Sequence, residues 1–452
     1  MTHLNKKSIS LICAMMLLSA LAVYATERGN QAASSQNKIE GPAGRSGRAG
    51  DNSGDAFFDP IAEQAYQKRN AEITPWMEDN TPTNYRNAAL LYYQAFLLRP
   101  EPNETIDYKL RTLSSGIEPD RQVRTYLGHC LPVIELVEIA SRMPVCIWGV
   151  WPERQLSLVA LRRQLGPLQD ILFADARTLA DDRHYRVALE RCLTVRRLSR
   201  QLSEDPELYI YSTGMDGKAL SLIRDILGAM PQDADILTWF RGQLVVAQGS
   251  PPSFAKKLQA DIEETTIQIR NAPIASLRDM LIKIAADEEA KEKIRNLTDQ
   301  QIRFEAARGF QRLMDSVFRI VDSEMTYEQK IAEIQRVTNE LAEADDTDPI
   351  TKQIITFNNF GEAIGRLFQS EVDHIAHING IKAAVEVYLV VAKTGKLPEK
   401  LPDGLPKDPY SGEDFEYEVT EDGFVLRCRL KPVNESQVRQ YEFKVQNSAG
   451  PK

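Results

Sequence analysis

The chain has 452 residues, with 55 Lys+Arg against 64 Asp+Glu and a formal net charge of −9. Hydrophobic residues make up 43% and charged residues 26%, close to the average of soluble globular proteins. These values argue against wholesale disorder, collagen, a multi-span membrane protein or a disulfide-dense miniprotein, and the length suggests roughly two to four domains.

Lys6 and Lys7 precede an uncharged apolar run from Ile9 to Ala22, and Val23-Tyr24-Ala25 fits the small-x-small rule of signal peptidase. A signal peptide over 1–25 is expected, cut between Ala25 and Thr26. Cleavage takes two positive charges with it and leaves −11. The alternative is an uncleaved N-terminal anchor, since the 18 residues from Ser8 to Ala25 are at the lower limit for spanning a bilayer. Cys13 lies too early in the apolar run for a lipoprotein box. The mature chain is therefore expected in the periplasm or outside the cell. No membrane contact is expected beyond that possible anchor.

Residues 26–55 are rich in Gly, Ser, Ala, Asn and Arg without apolar periodicity, which predicts a disordered linker. A helical body is expected over 56–348. Asn87 to Leu98 carries an apolar stripe at spacings of three and four (Ala88, Leu91, Tyr92, Ala95, Leu98), ended by Arg99-Pro100. Leu156–Leu179 and Tyr185–Leu202 read as a helical hairpin broken at Ala180-Asp181-Asp182-Arg183, with Asp181 or Asp182 as N-cap. Asp205-Pro206 opens a further helix running to Met230-Pro231, with Gly214-Met215-Asp216-Gly217 as an interruption. More polar helices follow to about Ala344. No repeat of 34 residues is present, so the body is expected to be an irregular bundle or α-solenoid-like.

Residues 349–452 are expected to form a small α+β module. One long helix runs from Ile350 to about Thr394, and turn-rich segments follow from Gly395 to Gly412. Then Phe415/Tyr417/Val419, Leu426/Cys428/Leu430 and Tyr441/Phe443/Val445 alternate with charged residues, as in half-buried strands. Glu421-Asp422-Gly423 supplies hairpin turn chemistry, and the wet face sets Glu opposite Arg. A three-stranded meander needs a partner, and the apolar face Ile381, Val385, Leu389, Val390 is the natural one.

The helix containing Ala384-Val-Glu-Val-Tyr-Leu, then Thr394-Gly-Lys-Leu-Pro, Leu405-Pro-Lys-Asp-Pro-Tyr-Ser-Gly and the meander resembles the globular end of type II secretion major pseudopilins. The resemblance covers roughly 380–430 and implies a helix packed on a small antiparallel sheet. The Asp-rich calcium loop of those proteins has no counterpart, because Asp422 stands alone and 431–452 contains no Asp. The whole chain, including Asn87-Ala-Ala-Leu-Leu-Tyr-Tyr-Gln-Ala-Phe and Tyr185-Arg-Val-Ala-Leu-Glu-Arg-Cys-Leu, is similar to large exported uncharacterised proteins of planctomycete-type bacteria. That family implies no activity.

Candidate chemistry is sparse. Glu371, His374 and His377, with Asp373, stand at one-turn spacings and form the one metal-like cluster, although a second Glu-x-x-His and two further Glu would be needed for a di-iron site. A polar helix surface is the plainer reading. His129-Cys130 cannot by itself supply a four-ligand zinc site. No nucleophile elbow and no phosphate-binding Gly loop is present, so no catalytic residue and no cofactor is expected. Cys130, Cys146, Cys192 and Cys428 permit disulfides after export, with Cys130 and Cys146 near enough to be bridged and the other two read as buried apolar residues.

Residues 151–200 hold 10 Arg against 6 acidic residues. Arg186, Arg196, Arg197 and Arg200 would either contact an anionic polymer or form a solvated or salt-bridged face. An exported acidic protein is not expected to bind nucleic acid. Trp148 and Trp151 would anchor a helix junction rather than form a ligand shelf. The expected function is a non-catalytic protein-interaction or scaffold protein of the cell envelope, with protein partners and an unassigned oligomeric state. The alternatives are a metal-dependent or other hydrolase using the His374/His377 region, and an accessory of a secretion apparatus.

Overall fold

The computed structural model describes residues 87–446, apart from 114–118, 149–153, 206–207, 249–253, 286, 344–349, 353–354, 356–359 and 434. The expected signal peptide, the Ala25/Thr26 cleavage point, the linker and Trp151 lie outside the described residues. The fold is mainly α, with a small three-stranded antiparallel sheet near the C-terminus.

The first half is built around one buried helix. Helices α1 (Ala88–Leu98), α2 (Glu104–Leu113), α3 (Arg121–His129), α4 (Leu131–Ser141), α5 (Arg154–Asp181), α6 (Tyr185–Leu202), α7 (Tyr209–Ala229) and α8 (Ala234–Gln248) follow in order. Helix α6 packs on α4, α5, α7 and α8. Of its 18 residues, 14 are buried, so it has almost no wet face. The second half comprises α9 (Phe254–Asn271), α10 (Ile274–Ile284), α11 (Glu288–Asn296), α12 (Asp299–Val321), α13 (Tyr327–Glu343) and α14 (Phe360–Thr394). Helix α14 joins the two halves, because it packs on α7 and α8 on one side and α13 on the other. Its segment Gly361–Thr394 is long and apolar enough to cross a membrane, yet most of that apolar surface is buried inside this core.

Helix ends follow local chemistry. Asn87 caps α1 by accepting the Ala89 N–H at 3.1 Å, and Arg99 turns extended ahead of Pro100. Thr298 and Gln301 form a capping box on α12. Helix α7 ends before Met230, which is extended ahead of Pro231.

Two expectations are corrected here. Neither Asp181 nor Asp182 caps α6. Helix α5 runs on to Asp181, and Arg183 takes φ 65°. His184 N–H then bonds Leu179 O at 2.8 Å and Arg183 N–H bonds Ala180 O at 3.0 Å, which is a Schellman ending with Arg in place of Gly. Both aspartates are instead held by Arg124 of α3. Nor does Gly214–Gly217 interrupt its helix, since α7 runs unbroken through it. Each glycine costs about 1 kcal/mol of helix propensity, but Met215 and Asp216 between them are buried against other elements.

Strands β1 (Glu416–Val419), β2 (Gly423–Arg427) and β3 (Gln440–Lys444) pair in that order, all antiparallel. The register sets Glu416 opposite Arg427, and Arg427 also pairs with Glu418, as the charged face predicts. The inner face packs on both α14 and α7. Tyr388 of α14 meets Phe424 edge-on at 5.5 Å and donates its hydroxyl to Lys444 O at 2.6 Å. Gln446 donates to Ala229 O at the end of α7. Gly423 is dictated by close approach, because a Cβ there would sit 1.9 Å from Phe443 O.

The Lys-Asp-Pro-Tyr-Ser-Gly segment owes its shape to Asp408, which is fully buried. Its carboxylate accepts from Tyr410 N–H (3.0 Å), Ser411 hydroxyl (2.7 Å) and Arg429 N–H (2.9 Å), and Gly412 turns with φ 76°. The turn is thereby fastened to the residues after β2.

Candidate functional site

Glu371, His374 and His377 project from α14 and reach different partners. His374 Nε2 lies 3.2 Å from Asp216 Oδ2 on α7. The same carboxylate takes Arg196 of α6, with Nε at 2.7 Å and Nη2 at 3.2 Å. Burial alone would raise the Asp216 pKa, but Arg196 and His374 hold it well below the usual carboxylate range. Glu371 accepts the Tyr209 hydroxyl at the start of α7, and its burial raises its pKa.

His377 turns towards the sheet. Its ring lies flat on Tyr441 of β3, with centroids 5.0 Å apart and planes 13° apart. Burial, then the nearby Arg224, push its pKa down to about 3, so the ring is neutral at physiological pH. Its Nε2 is buried and makes no hydrogen bond among the described residues. Asp373 faces elsewhere again, accepting Tyr410 hydroxyl at 2.7 Å and Arg439 Nη2 at 2.9 Å. Arg439 is shared with Glu435.

The candidate metal set is therefore not assembled. Glu371, His374 and His377 are each spent on contacts that tie α14 to α7 or to β3. Among the described residues no group of three His, Cys, Asp or Glu side chains could hold a metal ion. The chemistry of the arrangement is that of a buried ionic seam. Arg196, Asp216 and His374 link three helices in a row, in the geometry that buried charges require. Sequence reasoning missed Asp216 because it treated its glycine-flanked segment as a break.

Three arginines of α6, Arg191, Arg196 and Arg197, are also internal. Arg191 pairs with Asp175 of α5 (2.5 Å) and with Glu138 of α4. Glu190 receives Arg197 at 2.7 Å and Arg142 at 2.9 Å. The Arg186 guanidinium sits 4.9 Å from the Trp239 ring centroid, and Arg200 reaches Val246 O. Of the two readings, the salt-bridged one holds for Arg196 and Arg197, which are buried because helices cover α6, whereas Arg186 and Arg200 stay half-exposed.

All four described cysteines are buried free thiols, so Cys130 and Cys146 are not bridged. Burial pushes both up to about 12, which leaves them protonated and inert. Trp148 is an anchor, stacked on Tyr92 at 5.2 Å and met edge-on by Tyr93.

One surface differs from the rest. Helix α1 buries Ala88, Ala89, Leu91, Tyr92 and Ala95 against α4, yet its opposite face is also apolar. Leu97 is 86% exposed, Leu90 58%, and Tyr93 shares that side one turn from each. Val145 and Ile147 lie beside the start of α1, Val145 O accepting from Ala88 N–H and Ile147 held by Asn87, and Ile147 is 64% exposed.

The fold and these sites define a mainly α-helical body with a C-terminal antiparallel sheet and, in α1, a helix that is apolar on two sides. Comparison of the chain with protein-family models, with curated proteins and with solved structures finds no match.

Proposed function

We propose that this chain is an exported cell-envelope protein that works by binding other proteins, as a non-catalytic interaction or scaffold protein. The observation that carries this reading is the exposed apolar face of α1 with Val145 and Ile147 beside it. Single exposed leucines are ordinary, but a stripe at helical spacing is the signature of a surface awaiting a partner. Covering it removes apolar area from water at about 25 cal/mol per Å². The competing hydrolase reading draws on His374 and His377, and both side chains are engaged in contacts that fasten α14. The secretion-accessory reading rests on the long helix and meander alone, which is a fold analogy.

The test is affinity capture from cross-linked envelope fractions with the wild-type chain and the double variant Leu90→Asp/Leu97→Asp. Both positions are solvent-exposed, so the variant should keep its melting temperature. A reproducible partner recovered at least tenfold less by the variant is expected. Absence of any reproducible partner, or equal recovery by both chains, overturns the reading. Export is checked separately by fractionation and by sequencing the mature N-terminus for a start at Thr26.

A further inference from the structure

A second surface is charged rather than apolar. Helices α9 and α12 pack side by side and leave an open groove of about 920 Å³. Arg270 from α9 and Arg303, Arg308 and Arg312 from α12 line it. Elsewhere the arginines of this acidic chain are mostly paired, but these four have no ion-pair partner among the described residues. Arg303 donates only to Ala272 O (3.2 Å), and Arg308 lies 5.6 Å from the Phe304 ring centroid. Of the two carboxylates at the groove, Asp299 is taken by Arg278 at 2.7 Å, and Asp315 lies one turn from Arg312 with no ion pair among the described residues. Phe304, 58% exposed, and the buried Ala307 add apolar surface to the lining.

We propose that this groove docks an acidic peptide segment of a protein partner, with its carboxylates on Arg270, Arg303, Arg308 and Arg312 and an apolar side chain on Phe304. The proposal rests on the protein-interaction reading above and names the chemistry of one partner. Guanidinium groups bind carboxylates bidentately and give up their hydration readily, which suits unpaired arginines in a concave site. From Arg303 to Arg312 the helix rises about 13 Å, the length of roughly four extended residues. Charge complementarity therefore comes with a matching length. A single-stranded nucleic acid would use successive aromatic platforms, whereas Phe304 is the one aromatic in the lining of this groove. A lipid surface would meet a convex basic face, and this one is recessed.

Fluorescence anisotropy on the full chain tests the proposal. The probe is a labelled peptide of about eight residues, Glu and Asp around one Leu, long enough to overfill the groove. Its Gln/Asn counterpart, an oligothymidylate of equal charge and phosphatidylglycerol vesicles serve as rivals. The acidic peptide should bind at least tenfold more tightly than each rival and should weaken with salt, as exposed charge pairs do. Arg308→Gln/Arg312→Gln should lower its affinity tenfold or more, and Arg308→Glu/Arg312→Glu should abolish binding. The Gln pair keeps the test valid if the Glu pair fails to fold. Leu90→Asp/Leu97→Asp should bind the peptide unchanged. Equal binding of the amide peptide, tighter binding of oligothymidylate or vesicles, or wild-type affinity in the folded Gln pair overturns the proposal. Because the α1 variant reads a different surface, failure here leaves the α1 result standing, and the reverse also holds.

Discussion

Helices α6 and α12 both carry several arginines, and the fold treats them in opposite ways. On α6, Arg191, Arg196 and Arg197 are buried, and each meets a carboxylate: Asp175 and Glu138, Asp216, and Glu190. On α12, Arg303, Arg308 and Arg312 stay at the surface without ion pairs among the described residues. The difference lies in the neighbours rather than in the arginines. Helix α6 is enclosed by α4, α5, α7 and α8, and three of those supply acids. Helix α12 packs on α9, α10 and α13 and leaves one side open. A buried guanidinium is tolerated only where a carboxylate meets it, brought by a neighbouring helix for Arg191 and Arg196 and by α6 itself for Arg197.

The comparison breaks most readily at Arg191. Removing Asp175 strands a cation that is 1% exposed, with Glu138 as its remaining partner. Asp175→Ala should cost up to about 3–5 kcal/mol, the range for removing one partner of a buried pair, with Glu138 keeping it towards the lower end. Urea denaturation followed by circular dichroism measures it. A cost under about 1 kcal/mol would mean that the α5–α6 pair is wet and that enclosure does not distinguish the two helices.

The buried seam should also make stability depend on pH, and the signs can be worked out. His377 has its pKa lowered to about 3, against about 6.5 in an unfolded chain. Its neutral form is the folded one, so its contribution is fully present above pH 6.5 and is lost as pH falls towards 3. In that window the slope from this one group approaches 1.4 kcal/mol per pH unit. Asp216, held below the carboxylate range, adds a loss that begins lower, once pH drops under about 4. His377→Phe keeps the stack on Tyr441 and removes the proton. Its stability, measured by urea denaturation at pH 7, 6, 5 and 4, should fall less steeply than wild type above pH 4.5. Parallel curves would show that His377 is not desolvated by the sheet.

How much of this was legible in the sequence depended on whether a signal was local. The α1 stripe apart from the exposed Leu98, the stop at Arg99-Pro100, three strands and the Glu–Arg cross-strand face are local patterns that the structure has. The second strand, however, is Gly423–Arg427 rather than the Leu426/Cys428/Leu430 run, and it is buried without alternation. Helix α14 carrying the sheet followed from Ile381, Val385 and Leu389, although α7 shares that task. What sequence spacing misread were residues whose role is set by distant partners. Asp181 and Asp182 look like caps but answer to Arg124, about 57 residues away. Gly214 and Gly217 look like a break, yet Asp216 between them is the hub of Arg196 and His374. For Arg196 and Arg197 the spacing left a solvated and a salt-bridged face both open, because a helix wheel does not reveal that every side is covered. The α12 groove went unread for the same reason, since Arg270 joins Arg303 and Arg308 only after α10 and α11 fold back.

The smallest expected effect sharpens the comparison from the α12 side. Arg308 and Arg312 are exposed, accept no carboxylate among the described residues, and cover no buried acid. Arg308→Gln/Arg312→Gln keeps helix propensity nearly constant, because Arg and Gln rank together. The one interaction lost is Arg308 over Phe304, worth roughly 0.5–1 kcal/mol at an exposed site. Relief of like-charge crowding along the groove works in the opposite direction. The net change in unfolding free energy should therefore stay within about 0.5 kcal/mol, the usual range for surface substitutions, while binding of the acidic peptide falls. A change beyond about 1.5 kcal/mol would mean that these arginines hold α9 and α12 together, and the groove would then be part of the architecture rather than a place kept open for a partner.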